Sequence, residues 1–400
     1  MDTSKMKLIA AIAPLKMEQY REHLINSRRH INDIYAAVES QVLYNQLHKL
    51  FDEDYDLGSL KDIFEVFGGY TNRSFGVTVV KDGVEKEYFV RKYKVEVTDT
   101  DVLMEHGLIE YAIKNGFKEA ATVFKTKDGR SYVKCDELKA GQAVTRVFAV
   151  YRYLAGTDKY TWIANESTPQ EFWNLGALLA RFHSSSFGFN PDKSQRKTEP
   201  KINVLVPDFK RMFSERAAMP IETHFHSYFS QALKEILRHI DEQKISPEEY
   251  EALVQCPIHG DYHAGNVKFD GEQTVGLYDF DWSKVDIRLF DLSLGIVYCC
   301  SSWKMDSDGQ LRINDCLNFL KGYQSVLGST ALPSFTKAER QVFVRMLSSA
   351  YLYLIYWLTE LWYYLDSENI NDYEAISYLD HFLRGLNWLR TNSSLLAEMV

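Results

Sequence analysis

Residues 258–281 read IHGDYHAGNVKFDGEQTVGLYDFD. Two short polar loops are joined here by a hairpin-like segment. Asp261, on the first loop, is a carboxylate that can approach and orient a hydroxyl. Asn266, five positions later, offers a neutral amide oxygen that can bind a hard cation without adding negative charge. The apolar run VGLY reads as a strand that delivers Asp279 to the same cation. A hydroxyl-orienting carboxylate beside a metal and phosphate site is what phosphoryl transfer to a small hydroxyl compound needs. A turn-rich surface loop is the plainer reading. It fits poorly, because Ile258, Val267 and Val275 tie both loops to apolar segments. His259 and His263 invite a zinc site, but no further pair of soft ligands stands at finger or protease spacing. His259 is read as shaping the loop through hydrogen bonds. His263 is read as a pocket-wall or turn residue.

Upstream, DIFEVFGGYTNRSFGVTVV reads strand, glycine turn, strand. Gly68, Gly69 and Asn72 on that turn are candidates for close backbone approach to phosphates. Asp82-Gly83 marks a second hairpin, whose outgoing strand YFVRKYK carries Arg91 and Lys92. Neighbours on a strand point to opposite faces, so one cation looks into a cleft and the other away from it. The following segment, TDTDVLMEHGLIEYAIKNG, reads as a helix stopped at Gly116, with Glu105 available to hold that cation. Strands are expected on both sides of Asp128-Gly129 and again over AVTRVFAVYRYL. One or two helices are expected over residues 17–50. Beyond Gly156 the pattern turns helical, beginning with TPQEFWNLGALLARFHSSS and continuing, after the loops of residues 258–281, to the end. The expected division is a helical extension over 1–59, an antiparallel-sheet lobe over 60–155 and a mainly helical lobe over 156–400.

The composition is that of a globular chain: 46% hydrophobic and 25% charged over 400 residues. Lys and Arg number 46 against 55 Asp and Glu, a net charge of -9, which argues against a nucleic-acid or anionic-membrane partner. The five cysteines have no metal-ligand spacing and suit free thiols in a reducing cytoplasm. The opening MDTSKMKLIAAIAPLKMEQYREH shows no cleavage pattern, and no run of 18 apolar residues is present.

HGDYHAGN and YDFDW, with the order glycine turn, basic strand and helical Glu, give the chain a family likeness over roughly residues 60–390. It resembles the aminoglycoside phosphotransferase and choline kinase superfamily, and within it small-molecule kinases similar to type II homoserine kinase. The resemblance implies an α+β, protein-kinase-like two-lobed fold and an ATP-dependent kinase using ATP and Mg2+. It implies Asp261 as the catalytic aspartate, Asn266 and Asp279 as magnesium ligands, and Glu105 as the partner of the phosphate-binding cation. Relatives commonly carry a lysine after the apolar run of the third strand. Register here favours Arg91 in that place, with Lys92 as the shifted alternative. Asp291 in FDLSLG resembles a structural aspartate that steadies the loops. FAVYRYLAG resembles the hinge, so the backbone around Tyr151 to Tyr153 would meet adenine.

The acceptor would be a small hydroxylated molecule: an amino alcohol, an amino acid such as homoserine, a sugar or an aminoglycoside. The aromatic segment YLYLIYWLTELWYYL, residues 351–365, either lines its pocket through cation–π contacts or only packs the core. Asp281 and Asp286 could receive an ammonium or a sugar hydroxyl. A kinase-like enzyme acting on protein, or an inactive nucleotide-binding module, is the alternative. The short interval from Asp279 to FDLSLG leaves little room for the long segment that a protein substrate needs.

Overall fold

The computed structural model describes residues 28–30, 38–66, 72–139, 142–192, 197–328, 330–364 and 370–399. Gly68 and Gly69 lie outside the described residues. The fold is α+β, with an antiparallel N-terminal sheet and a mainly helical C-terminal region.

Six strands form the sheet: β1 (Arg28–His30), β2 (Ser59–Val66), β3 (Arg73–Lys81), β4 (Val84–Lys92), β5 (Val133–Lys139) and β6 (Gln142–Arg152). Their order is β1-β2-β3-β4-β6-β5. Alternation along the strands sends side chains to two different cores. Phe75, Val77, Val79, Val90, Phe148 and Val150 pack beneath Leu43 and Leu47 of helix α1 (Val38–Lys49). Val147, Ala149 and Tyr151 point to the other face, where helix α2 (Asp99–Lys114) packs. Thr98 caps α2 by accepting the Asp101 N–H, as expected for a threonine before an apolar periodic run.

Two expectations for this lobe are corrected. Residues 28–30 add a strand beside β2 instead of joining a helix. Only the second of the two strands expected around Asp128-Gly129 forms. Ala120 and Val123 make single bridges to Leu277 and Tyr151, two different partners, so no continuous ladder develops there.

The helical region is built from α3 (Pro169–Ser186), α4 (Ile202–Ala217), α5 (His224–Glu242), α6 (Arg288–Cys300), α7 (Ile313–Val326), α8 (Lys337–Tyr356) and α9 (Asp372–Thr391). Helices α3 and α7 approach closely through two glycines. A Cβ on Gly176 would lie 1.9 Å from the Phe319 carbonyl oxygen, and one on Gly322 would lie 1.9 Å from that of Trp173. The helix Lys337–Tyr363 is long and apolar enough to cross a membrane, but 83% of its apolar window is buried inside the protein. It serves as the central core helix, packed against α6, α9 and α4.

Beyond Tyr356 this helix widens to π geometry over Trp357–Tyr363. Residues five apart on an α-helix point about 140° apart, whereas i→i+5 bonding brings them toward one side. Trp357 and Trp362 accordingly meet, with ring centroids 4.8 Å apart. Two small antiparallel pairs complete the region: β7 (Gln255–Ile258) with β10 (Lys284–Ile287), and β8 (Val267–Asp270) with β9 (Gln273–Leu277).

Candidate active site

Strand β7 is buried at Cys256 and Ile258 and runs directly into His259, Gly260 and Asp261. Asp291, in the first turn of α6, fixes this exit. Its two carboxylate oxygens accept the His259 N–H at 2.7 Å and the Gly260 N–H at 2.9 Å, and His183 Nε2 lies 2.9 Å away. Burial works against the charge of Asp291, but His183 and His259 hold its carboxyl below the usual range. Gly260 adopts φ +80, and a Cβ there would lie 2.4 Å from the Trp282 carbonyl, so the turn requires glycine. Burial keeps the His259 imidazole below its usual pKa. Its Nε2 donates to the Tyr278 carbonyl at 3.0 Å and its Nδ1 accepts the Asp261 N–H at 3.3 Å, an arrangement that one neutral tautomer satisfies.

The β8–β9 hairpin brings Asn266 and Asp279 to neighbouring positions. Val267 opposes Leu277, and the Tyr278 N–H donates to the Asn266 carbonyl at 3.1 Å. Asn266 Nδ2 donates to the Asp261 carbonyl at 2.9 Å. Asp279 itself takes the left-handed conformation, φ 67 and ψ 56. That strain at a non-glycine residue turns the chain sharply after the strand.

Arg91 reaches the site from β4. Its Nη2 lies 2.7 Å from Asp279 Oδ1, and its Nη1 lies 3.5 Å from Glu105 Oε1 on α2. Glu105 is buried and also accepts from the hydroxyls of Tyr93, at 2.7 Å, and Tyr151, at 3.0 Å. Lys92 points to the opposite sheet face, where it pairs with Glu137 at 2.5 Å, and Arg146 joins the same carboxylate at 2.6 Å. The structure therefore brings together Asp261, Asn266, Asp279, Arg91 and Glu105, and leaves Lys92 on the far side of the sheet. Asn72 lies at the edge of this group. Its Nδ2 donates to Asp281 Oδ2 at 2.7 Å, and its Oδ1 accepts the Lys94 N–H at 2.9 Å.

Tyr151 stands within β6, flanked by Phe89 on one side and Val123 on the other, so its backbone belongs to the sheet. Its hydroxyl joins the buried Glu105, Tyr93 and His106 network. Tyr153 follows the end of the strand, with its ring edge against Phe64 and beneath Lys268 Nζ. Asp286 is fully buried, where it accepts from the Tyr250 hydroxyl at 2.6 Å and the Ile202 N–H at 2.8 Å. It faces no pocket.

The donor set suits a hard cation. Asn266 commits its amide nitrogen to Asp261, Asp281 Oδ1 is buried without a hydrogen bond, and Asp279 Oδ1 is met by its ion pair with Arg91. Burial and the charge of Asp279 push the Asp281 carboxyl up to about 7. Among the described residues no three His, Cys, Asp or Glu side chains cluster as a complete cage. Magnesium needs none, because it is commonly held by one or two protein oxygens together with substrate phosphates and water.

A cavity of about 50 Å³ is lined by Asp261 and His263. An arc of rings forms the wall: Tyr298 to Trp162 at 6.2 Å, Trp162 to Tyr378 at 4.8 Å, Tyr378 to Trp362 at 5.6 Å, and Trp362 to Trp357. The aromatic helix thus both packs the core and lines this cavity. No Lys or Arg is among the described residues of the wall. Behind Tyr378, whose hydroxyl donates to it at 2.8 Å, stands the half-buried Glu374, whose carboxyl burial raises.

Burial pushes the Asp261 carboxyl up, but His263, His259 and Tyr298 outweigh it and hold the group below the usual carboxylate range. Tyr298 was missed in the sequence reading. It stands seven residues after Asp291, on the same face of α6, and that spacing is the signal that could have found it. Trp162 and Lys197, in irregular segments, carried no such signal.

The comparisons with known proteins bear on the family and the fold. Residues 64–327 match the model of the phosphotransferase enzyme family. A homoserine kinase of Ralstonia nicotianae is 25% identical over 326 residues, covering 78% of this chain and 84% of the relative. One from Ralstonia pickettii is 25% identical over 340 residues, covering 82% and 90%. Among solved structures, a microcompartment-associated aminopropanol kinase superposes with a TM-score of 0.60 at 15% identity, covering 88% of this chain and 98% of that one. Choline kinase from Cryptosporidium parvum superposes with a TM-score of 0.53 at 12% identity, covering 90% and 97%. These superpositions show the fold, and the family model spans most of it: the chain belongs to the phosphotransferase enzyme family.

Proposed function

We propose that this chain is an ATP-dependent kinase that transfers the γ-phosphoryl group to a hydroxyl of a small amine-bearing metabolite. One observation carries the reading. The Asp261 carbonyl accepts from Asn266, and Asp261 also lines the aromatic cavity. It therefore belongs both to the proposed phosphate part of the site and to the proposed acceptor part.

In this account Asn266 and Asp279 hold Mg2+, which when bound neutralises phosphate charge. Arg91, steadied by Glu105, meets the phosphates from the sheet side through its planar fork. The backbone at Asn72 covers them, and the segment from Tyr151 to Tyr153 borders adenine. Asp261 accepts a hydrogen bond from the acceptor hydroxyl and draws off its proton as the oxygen attacks. Its ionised state at neutral pH, supported by His263 and Tyr298, suits that role.

The acceptor class follows from the wall. An arc of indole and phenol rings favours an ammonium through cation–π attraction, and the carboxylate of Asp261 has the same sign of preference. A carboxylate-bearing acceptor would find no described Lys or Arg on the wall to pair with. The relatives named homoserine kinase therefore suggest the chemistry more than the acceptor. A panel of amino alcohols, sugars, aminoglycosides and homoserine, read by ATP consumption, tests this. Amino alcohols should be preferred over homoserine. Preference for homoserine would overturn the acceptor class, and nucleotide binding without any transfer would favour an inactive nucleotide-binding module.

A further inference from the structure

The last residues of the connection between α3 and α4, Lys197 to Lys201, are anchored in the helical lobe. Glu199 pairs with Lys284 at 2.7 Å and accepts from the Tyr353 hydroxyl at 3.1 Å, and Lys284 also donates to the Pro200 carbonyl at 2.8 Å. Lys284 and Tyr353 are both buried, so this end of the connection is firmly held.

Its free face grips helix α2. The Thr198 N–H donates to Asp101 Oδ1 at 3.0 Å, and the Thr198 hydroxyl donates to Asp101 Oδ2 at 3.2 Å. Lys197 Nζ lies 3.9 Å from Asp101 Oδ1 and donates to the Asp281 carbonyl. The Trp282 indole sits between two ammonium groups, Lys94 Nζ of the sheet lobe at 5.1 Å and Lys197 Nζ at 5.3 Å. Burial works against the charge of Asp101, but Lys197 and Thr198 hold its carboxyl below the usual range.

Asp101 precedes Glu105 by four residues, one turn on the same face of α2. Glu105 is fastened to the sheet by Tyr93 and Tyr151, so α2, Glu105 and Arg91 form one body. Whatever fixes Asp101 relative to the helical lobe also fixes Arg91 relative to Asp279. We propose that Asp101, Lys197 and Thr198 form an interlobe clasp whose function is to position Arg91 against the phosphates of a bound nucleotide. These are positioning residues. They act through Arg91, and the proposal rests on the reading of Arg91 as the phosphate-neutralising cation.

The test is a double-mutant cycle on binding of Mg·AMP-PNP, measured by titration calorimetry on the full chain. Asp101→Ala should weaken binding about tenfold, the change expected from losing one or two hydrogen bonds to a charged group. Thr198→Val, at an exposed position, should weaken it about threefold without perturbing the fold. Asp101→Asn, which keeps an acceptor for the Thr198 N–H, should restore most of the affinity. In an Arg91→Met background, Asp101→Ala should add nothing. Equal losses in both backgrounds would overturn the clasp, since they would mean an effect independent of Arg91. It would also be overturned if Arg91→Met weakened binding while Asp101→Ala and Thr198→Val did not. A wild-type chain that does not bind Mg·AMP-PNP, or an Arg91→Met variant that binds it normally, would instead remove the nucleotide reading beneath it.

Discussion

Replacing Arg91 and Lys92 by methionine, one at a time, separates two adjacent cations that the fold uses differently. Methionine keeps an unbranched stem and deletes the charge. Arg91 stands 2.7 Å from Asp279 and 3.5 Å from Glu105, and Asp281 adds a third carboxylate nearby. Removing it leaves these groups without their shared cation, a change that costs about 3–5 kcal/mol when one partner of a buried pair is lost. Part of that cost is relieved as Glu105, whose carboxyl burial already raises, takes up a proton. Lys92→Met leaves Glu137 bonded to Arg146 and to Gln46 at 3.2 Å, so the loss there is about 1 kcal/mol. Denaturant unfolding should therefore show the larger loss for Arg91→Met. Calorimetry with Mg·AMP-PNP should show binding weakened about 10- to 100-fold for Arg91→Met, the worth of one charge-assisted contact, and nearly unchanged for Lys92→Met. A larger nucleotide effect from Lys92→Met would refute the assignment of faces to function. Small, equal effects would refute phosphate neutralisation by either residue.

Other outcomes follow from the same contacts. Asp291→Asn should cost about 2 kcal/mol, because the His259 and Gly260 N–H groups use different carboxylate oxygens and an amide has only one; unfolding of the variant at neutral pH checks this. Gly176→Ala should destabilise by about 2 kcal/mol or more, because the new Cβ would meet the Phe319 carbonyl at 1.9 Å; a thermal melt reads it. His106 is buried between Ser131 and Tyr151, and burial lowers its pKa from 6.5 to about 3. Its neutral form fits the fold, so this contribution is intact above pH 6.5 and is lost as pH falls and the unfolded chain takes up the proton first. The loss is about 2 kcal/mol at pH 5. Stability of His106→Gln should fall less steeply between pH 6.5 and pH 5 than that of the wild type.

The sheet was legible because its strands are written locally. Alternation in YFVRKYK predicts that Arg91 and Lys92 part company, and the structure separates them by the whole thickness of the sheet. Which of the two faces the cleft depends on where α1 packs, and Val90, Phe148 and Val150 reveal that only through tertiary contact. The strand expected before Asp128 failed for a similar reason. Its residues have β-type side chains, but the partners offered at Tyr151 and Leu277 lie on different elements. The aromatic run of residues 351–365 left packing and pocket undecided because both use the same residue types. The π segment at Trp357–Tyr363, which turns Trp357 and Trp362 together, has no sequence pattern of its own. Lys197 and Thr198 were invisible in a charged surface-like stretch, since their role exists only where α2 and the Asp279–Trp282 turn come together.

The most direct test of the account is transfer itself, compared between the wild type and Asp261→Asn. Each would be incubated with Mg·ATP and the best amino alcohol of the panel, and the product mass measured. The wild type should add one phosphoryl group to the acceptor hydroxyl. Asp261→Asn, still binding Mg·AMP-PNP, should be slower by a factor of about 100 or more. An Asp261→Asn variant that transfers at the wild-type rate, or a wild type that phosphorylates no hydroxyl in the panel, would contradict it.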